Sequence, residues 1–410
     1  MVSGIMKLLS GYKRTSVLHT SLMLLISFGI LSISLCCTQG RKPETTTPKD
    51  PETIAADAFR ALEIEYNSRE EELHKSIRLG EAVPDEINAL DEEFRRRQEE
   101  FVKEYWGTQA AAGVMLGFAT QDVEQGQFAS AEKRFDEIIS SLKSGDNLAL
   151  ALVQKANLES DRDLQKALEL AKQAEKVKDI NIETVFEARL QRLKLLEWLG
   201  LDSRFDALYL QLSNEDSGPY TDILAFTRLR HFLRHGDMEA AKGLLDSVKG
   251  KASDDMMLIL KAEYIAQNML GKPAPPIDGV DISGVNYSLS KQKGEIVLVT
   301  FFSTGTAPIL RLLPRLNRMY DEYSPKGLEM VGVCIDSKPD EINPFVARNN
   351  ILWPVLHDAD GKIQKSYYVI RDPKCFIINR DGTLAAHGLE GVLLEQEVRR
   401  LLGLEDTSSK

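Results

Sequence analysis

Four cysteines and two closely spaced histidines are the residues of this chain whose chemistry is easiest to name. Cys36 and Cys37 stand side by side at the end of an apolar run, and Cys334 and Cys375 lie in the C-terminal third. Four thiols in 410 residues cannot build a disulfide framework. A thiol can still exchange disulfides, take a lipid or act as a small apolar core residue, and its surroundings decide which. His231 and His235 are four apart, so both imidazoles fall on one face of a predicted helix, a spacing that metal sites use. No glutamate or cysteine motif supports them, and they directly precede Gly236. That context points to a helix C-terminus, where a partly positive imidazole suits the dipole, and no metal or other cofactor is expected.

The elements that must position these residues are bounded first by composition. A chain of 410 residues, 43% hydrophobic and 28% charged, is long enough for about two or three domains with cores of their own. Its formal charge of −11 argues against a nucleic-acid partner. Residues 1–37 read as a signal peptide or membrane anchor: Lys7, Lys13 and Arg14 precede an apolar stretch from Val17 to Cys37. The stretch ends in Ile33-Ser34-Leu35-Cys36-Cys37, which resembles the lipobox of bacterial lipoproteins, although Leu35 is larger than the residue usual before the acylated cysteine. Lipidation at Cys36 or Cys37, an uncleaved anchor of about the 20 residues that span a bilayer, and plain secretion all remain open. Each places the body outside the cytoplasm, in the cell envelope or periplasm, and the first two tether it to a membrane. Residues 38–53 are Thr/Pro-rich and polar, the composition of a disordered linker.

Residues 54–107 predict a charged helical hairpin. Phe59, Leu62, Tyr66, Leu73 and Ile77 form one heptad-like stripe, and Ile87, Leu90, Phe94, Phe101 and Tyr105 form a second, with Gly80 and Pro84 between them. In each stripe the missing heptad position is an arginine, Arg69 or Arg97. The hairpin reads as a solvated helix pair or, more sharply, as a partner-binding coiled coil. Residues 108–269 are helical throughout. Gly126, Phe128, Ala131 and Phe135 share a register with Gly236, Met238, Ala241 and Leu245, and weaker echoes occur at Gly200 to Leu212 and at Leu164, Ala167, Leu168 and Ala171. This spacing resembles tetratricopeptide repeats, in which a small alanine lets antiparallel helices approach and larger residues fill the gap to the next pair. An irregular helical bundle would use small residues at its contacts in the same way.

After Gly271-Lys272-Pro273-Ala274-Pro275-Pro276 the pattern changes to alternating strands and helices. Gly294 to Phe302 and Leu328 to Ile335 are buried strands by composition, and Ile309 to Tyr323 is a helix between them. Helical segments at Asp340 to Asn350 and Lys362 to Tyr368 flank a short Trp353 to Leu356 segment. Strands Lys374 to Asn379 and Thr383 to His387 meet at an Asp381-Gly382 turn before a last helix, Leu394 to Leu402. This order, with the GKPAPP lead, KGLEMVGVCID and PKCFIINRDG, resembles the thioredoxin-like redoxins. That group includes the alkyl-hydroperoxide-reductase/thiol-specific-antioxidant family and membrane-tethered thiol-disulfide oxidoreductases. The fold class is therefore multidomain: an all-α, tetratricopeptide-like array followed by an α/β thioredoxin-like domain at 270–405.

The resemblance implies that Pro373 is a cis-proline and that the chemistry belongs at the start of the helix after the central strand, in a Trp-Cys-x-x-Cys pattern. Here Gly305 replaces the tryptophan, Thr306 the attacking cysteine and Ile309 the resolving one, while Pro308 and Pro314 are kept. A threonine hydroxyl has no thiolate to offer and cannot exchange with a disulfide; it is suited to capping the helix. In the family topology Cys334 and Cys375 are about two strand spacings, ~9.6 Å, apart, beyond the ~7 Å that a disulfide spans. Both read as buried core thiols, with Cys375, close to Pro373, the candidate residual thiol. Two functions follow, beside a purely structural envelope role with no specific peptide site. One is a redox-inactive envelope protein that binds other envelope proteins or extended peptides in a groove edged by Thr306, Pro308, Asp372 and Pro373. The other is a thiol-disulfide oxidoreductase or antioxidant working through Cys375 or a partner's thiols.

Overall fold

Asp50 opens the first helix by accepting hydrogen bonds from the Thr53 N–H at 3.0 Å and the Thr53 hydroxyl at 2.8 Å, with Pro51 at the first helical position. The computed structural model describes residues 50–79, 85–215, 218–336 and 339–404. The signal or anchor segment, Cys36 and Cys37, most of the linker, and the Gly80 to Pro84 turn lie outside the described residues.

Helices α1 (Pro51–Leu79) and α2 (Asp85–Glu104) run antiparallel. Phe59 packs on Phe101 with ring centroids 5.2 Å apart, and Tyr66 stacks on Phe94 at 4.2 Å. The arginines that interrupt the two stripes point across the pair: Arg69 donates to both carboxylate oxygens of Glu93 and Arg97 to both of Glu65.

The array continues through α3 (Gln109–Glu124), α4 (Phe128–Ser141), α5 (Asp146–Glu159), α6 (Leu164–Ala174), α7 (Ile182–Trp198), α8 (Asp202–Asn214), α9 (Thr221–Arg234), α10 (Met238–Ser247) and α11 (Asp254–Gln267). Five of these nine helices start on a polar cap: the side chains of Thr108, Asp163, Asn181, Asp237 and Ser253 each accept from a first-turn N–H. Gly126 and Gly236 turn the chain at φ of +75° and +68°, values that side chains rarely adopt. Ala131, Ala167, Ala171 and Ala241 are fully buried where helices meet, and Phe135 fills the core between pairs.

The thioredoxin-like domain is built on a five-stranded sheet of order β5-β4-β3-β6-β7. The central strand β3 (Ile296–Phe302) is buried at every position, lies parallel to β4 (Leu328–Cys334) and antiparallel to β6 (Lys374–Ile378). Strands β5 (Val355–His357) and β7 (Leu384–His387) form the edges. A Cβ at Gly332 would come within 3.0 Å of the Phe302 ring and 3.2 Å of Val355, so glycine is what lets those side chains meet over β4. One face of the sheet is covered by α12 (Ala307–Tyr323), α13 (Ile342–Arg348) and α15 (Gly391–Leu402); on the other, Phe301, Tyr367 and Phe376 pack together. The segment Lys362–Ser366 forms the short α14. A small hairpin, β1 (Asp278–Val280) with β2 (Asn286–Ser288), adds two strands that the sequence pattern did not predict.

Ala55–Lys410 forms one compact unit, so the array and the thioredoxin-like domain meet over a packed junction. Lys374 donates to Glu263 of α11 at 2.8 Å, and the His387 Nε2 lies 3.0 Å from Gln267 Oε1. Arg230 of α9 donates to the Gly388 carbonyl at 3.0 Å and to Glu390 at 2.5 Å. Arg311 of α12 reaches the Asn157 carbonyl and Asp161 at the end of α5, while Val392 and Leu393 pack into the array core.

Candidate functional site

The C-terminal ends of β3 and β4 deliver two short turns to one edge of the sheet. After β3 the chain passes through Ser303 to Thr306 into α12; the loop before β6 carries the Asp372-Pro373 bond, which is cis. The Ser303 N–H donates to Asp372 at 2.8 Å and the Thr304 N–H to Asp336 at 2.5 Å. Two carboxylates therefore sit where the helix N-terminus offers positive potential. In a redox-active relative that potential would favour a thiolate at the helix start. Here backbone donors at the edge are already committed to carboxylates.

Thr306 occupies the N-cap position of α12, with φ −89° and ψ 139°, yet its side chain does not cap the helix. The expected cap is absent because the hydroxyl turns back toward the Ser303 carbonyl, 3.5 Å away. Pro308 follows at the second helical position and is exposed; Thr306, Asp372 and Pro373 are half-buried. Ile309 points into the core with Leu313 and Leu316, so the resolving position has become a packing residue. The Ser303–Asp372 bond brings the helix-start turn and the cis-proline loop together, which leaves Thr306, Pro308, Asp372 and Pro373 on one open edge.

Neither remaining thiol joins that edge. Cys334 pairs with Phe302 on one side of β3 and Cys375 with Thr300 on the other, and no disulfide links them. Cys375 is 4% exposed, its Sγ lies 3.6 Å from the Thr300 hydroxyl, and burial pushes its thiol up to about 12. At neutral pH such a group is overwhelmingly the unreactive thiol. Cys334 is fully buried, with its Sγ 3.4 Å from Asp336.

His231 lies in the last turn of α9 and His235 at its C-cap. The imidazole of His231 is not partly charged: burial, with His235 and Arg228 beside it, lowers its pKa. Asp336 is the site residue that sequence reasoning missed. Its signal was modest, a first polar residue two positions beyond a buried strand that ends beside Phe302.

The sequence pattern described as the AhpC/TSA family matches residues 270–387. Thiol-disulfide oxidoreductase ResA of Bacillus anthracis is 30% identical over 134 residues, which cover 33% of this chain and 75% of that protein. The chain belongs to the AhpC/TSA family. Another relative, thiol-disulfide oxidoreductase ResA of Bacillus thuringiensis subsp. konkukian (strain 97-27), is 33% identical over 113 residues, 28% of this chain. The matched region spans 65% of the length of that relative, just under two thirds. Among solved structures, the thioredoxin domain of a thiol-disulfide oxidoreductase from Bacteroides vulgatus is 26% identical, with a TM-score of 0.31, and covers 32% of this chain and 97% of that one. All of these similarities fall in the thioredoxin-like third, and the helical array lies outside the matched region. Among the described residues no helix is long and apolar enough to cross a membrane.

Proposed function

We propose that this chain is a thioredoxin-like protein of the cell envelope that binds envelope proteins or extended peptides without thiol chemistry of its own. The observation that carries the reading is the pairing of Thr306 and Ile309 at the helix start with a Cys375 thiol that is buried and pushed up to about 12. The edge at Thr306, Pro308, Asp372 and Pro373 is open to solvent, and its remaining backbone carbonyls are what an extended peptide would hydrogen-bond there. Location in the envelope rests on the order of Lys7, Lys13 and Arg14 before the Val17 to Cys37 apolar run, with Cys36 or Cys37 as the lipid-bearing residue.

The names of the relatives favour a second reading, thiol-disulfide exchange through Cys375 or a partner's thiols. Insulin reduction by the full chain, carried out alongside Cys375→Ser, separates the two. The binding reading expects no turnover above the uncatalysed rate in either protein. Turnover in the parent that Cys375→Ser abolishes would establish the second reading instead.

A further inference from the structure

The turn between α7 and α8 approaches the end of α9 at a cluster that the sequence alone did not assemble. Asp202, the first residue of α8, lies with its Oδ1 3.1 Å from His235 Nε2, and one ring nitrogen of His231 falls within 4.8 Å of both. We propose that Asp202, His231 and His235 bind one divalent late-transition ion of the Zn2+ class.

Geometry carries the proposal first. Ligand atoms around a tetrahedral Zn2+ stand about 3.3 Å apart, so the closest pair already has ligand spacing. The widest pair, at no more than 4.8 Å, needs an adjustment of about 1.5 Å, within the reach of a side-chain rotation. Two imidazoles and one carboxylate form a donor set suited to Zn2+ and its neighbours rather than to Ca2+ or Mg2+, which take oxygen ligands. His235 is exposed and Asp202 half-buried, so a fourth position is open to water, as in three-ligand zinc sites.

A second, independent observation concerns His231. It is 7% exposed, and its Nδ1 is buried with no hydrogen-bond partner among the described residues. A buried ring nitrogen left unsatisfied is costly, and a rearrangement of the ring that takes up an ion would be offset by relieving it. The ring is held in place by stacking on Phe205, 4.1 Å between centroids and 12° between planes. Two arginines stand near the cluster, and each has another partner: Arg228 is engaged by Asp206 and lies over the rings of Tyr209 and Phe232, and Arg234, whose charge also feels Asp202, is held by Glu197.

Bound there, the ion would tie the first residue of α8 to the last turn of α9. The same helix carries Arg230, which grips Gly388 and Glu390 across the junction. The site would therefore stiffen the array where it supports the thioredoxin-like domain.

The test uses the full chain, stripped of metal and titrated with Zn2+ alone. Thermal unfolding is followed, and Co2+ is substituted for its visible spectrum. Cys36 and Cys37 are adjacent thiols, a ligand type that zinc takes, so comparison with His235→Gln and Asp202→Asn decides the matter. Both are accessible positions, and unchanged helicity of the variants confirms that they fold. The proposal expects Zn2+ to raise the Tm of the parent. It expects each variant to lose most of that rise and to bind Zn2+ at least about tenfold more weakly, since even residues behind the ligands change metal affinity by about 10–100-fold. No Tm rise in the parent, or an equal rise in both variants, would overturn it and leave His235–Asp202 as an ordinary hydrogen bond.

Discussion

The helical hairpin and the junction between array and thioredoxin-like domain use the same chemistry in opposite surroundings. In the hairpin, Arg69 meets Glu93 at 3.0 Å with 45% and 38% of the side chains exposed. At the junction, Lys374 meets Glu263 at 2.8 Å with 6% and 14% exposed. Distance does not distinguish the two pairs; water does. In the hairpin, solvent screens the attraction and re-solvates either charge when its partner leaves. At the junction each charge has lost its hydration and depends on its partner. The hairpin pairs therefore decorate a helix contact made by Phe59, Phe101, Tyr66 and Phe94, whereas the junction pairs fix how the array meets the cis-proline loop.

The sharpest way to break this comparison is to remove one junction charge. Glu263→Ala leaves Lys374 buried beside Pro373 with no counter-charge and is expected to cost about 3 kcal/mol or more, read from the urea unfolding midpoint. Replacing both partners, Lys374→Met with Glu263→Leu, should recover most of that loss, because the penalty comes from the orphaned charge rather than from the missing bond. If the single variant is as stable as the parent, the junction behaves like a surface and the contrast collapses.

Acid probes the same junction by titration. Burial, with Lys374 beside it, pushes His387 down to about 3, so it stays neutral in the fold next to Glu263. An unfolded histidine takes a proton below its ordinary 6.5 while the folded one does not. Stability is therefore lost as pH falls from 6.5 toward about 3, and the loss stops once both states are protonated. Glu390 acts in the same direction at lower pH. Lost hydration alone would raise it, but half of its side chain still meets solvent, and Arg230 and Lys194 outweigh that loss and hold it at about 2. Its contribution is present above 4.5 and fades as pH falls toward about 2. Between pH 7 and 5 the carboxylate scarcely contributes, and the expected loss from His387 is about 1–2 kcal/mol. His387→Gln should flatten that part of the urea-midpoint profile, leaving the smaller slope that His231, also lowered by burial, supplies. An unchanged profile would mean that His387 is hydrated in the fold.

Much of this molecule was legible in its sequence, for identifiable reasons. Short, continuous β-branched runs such as Ile296 to Phe302 read as buried strands, and the Asp381-Gly382 turn joins β6 to β7 where the pattern placed it. Gly126 and Gly236 marked the turns of the array because their backbone conformation admits few other residues. Arg69 and Arg97 were visible as interruptions of an apolar stripe, but not the glutamates that answer them. The junction was illegible because its partners are far apart along the chain: Lys374 and Glu263 are separated by 111 positions, and Arg230 and Glu390 by 160. No local period records such a meeting. The same holds for Asp202 beside His235, and for Asp336, which arrives from β4 to take the Thr304 N–H. The hairpin of β1 and β2 escaped notice because strands of three residues, with β1 wholly exposed, carry no alternation to read.

The smallest expected effect lies at the other end of the comparison. Arg69→Ala and Arg97→Ala each remove a two-pronged contact to glutamate, which on geometry alone would rank with the strongest in the chain. Exposure argues the opposite: the glutamate left behind is hydrated at once, and an alanine suits the helix better than the arginine's ordered side chain. The Tm of the full chain should stay within about 1 °C in either variant, and added salt should shrink even that difference. The contrast with Glu263→Ala is informative because both experiments delete one member of a close ion pair. A fall of several degrees in Arg69→Ala would show that two-pronged geometry outweighs solvent screening, and the ranking of the two regions would then have to be reversed.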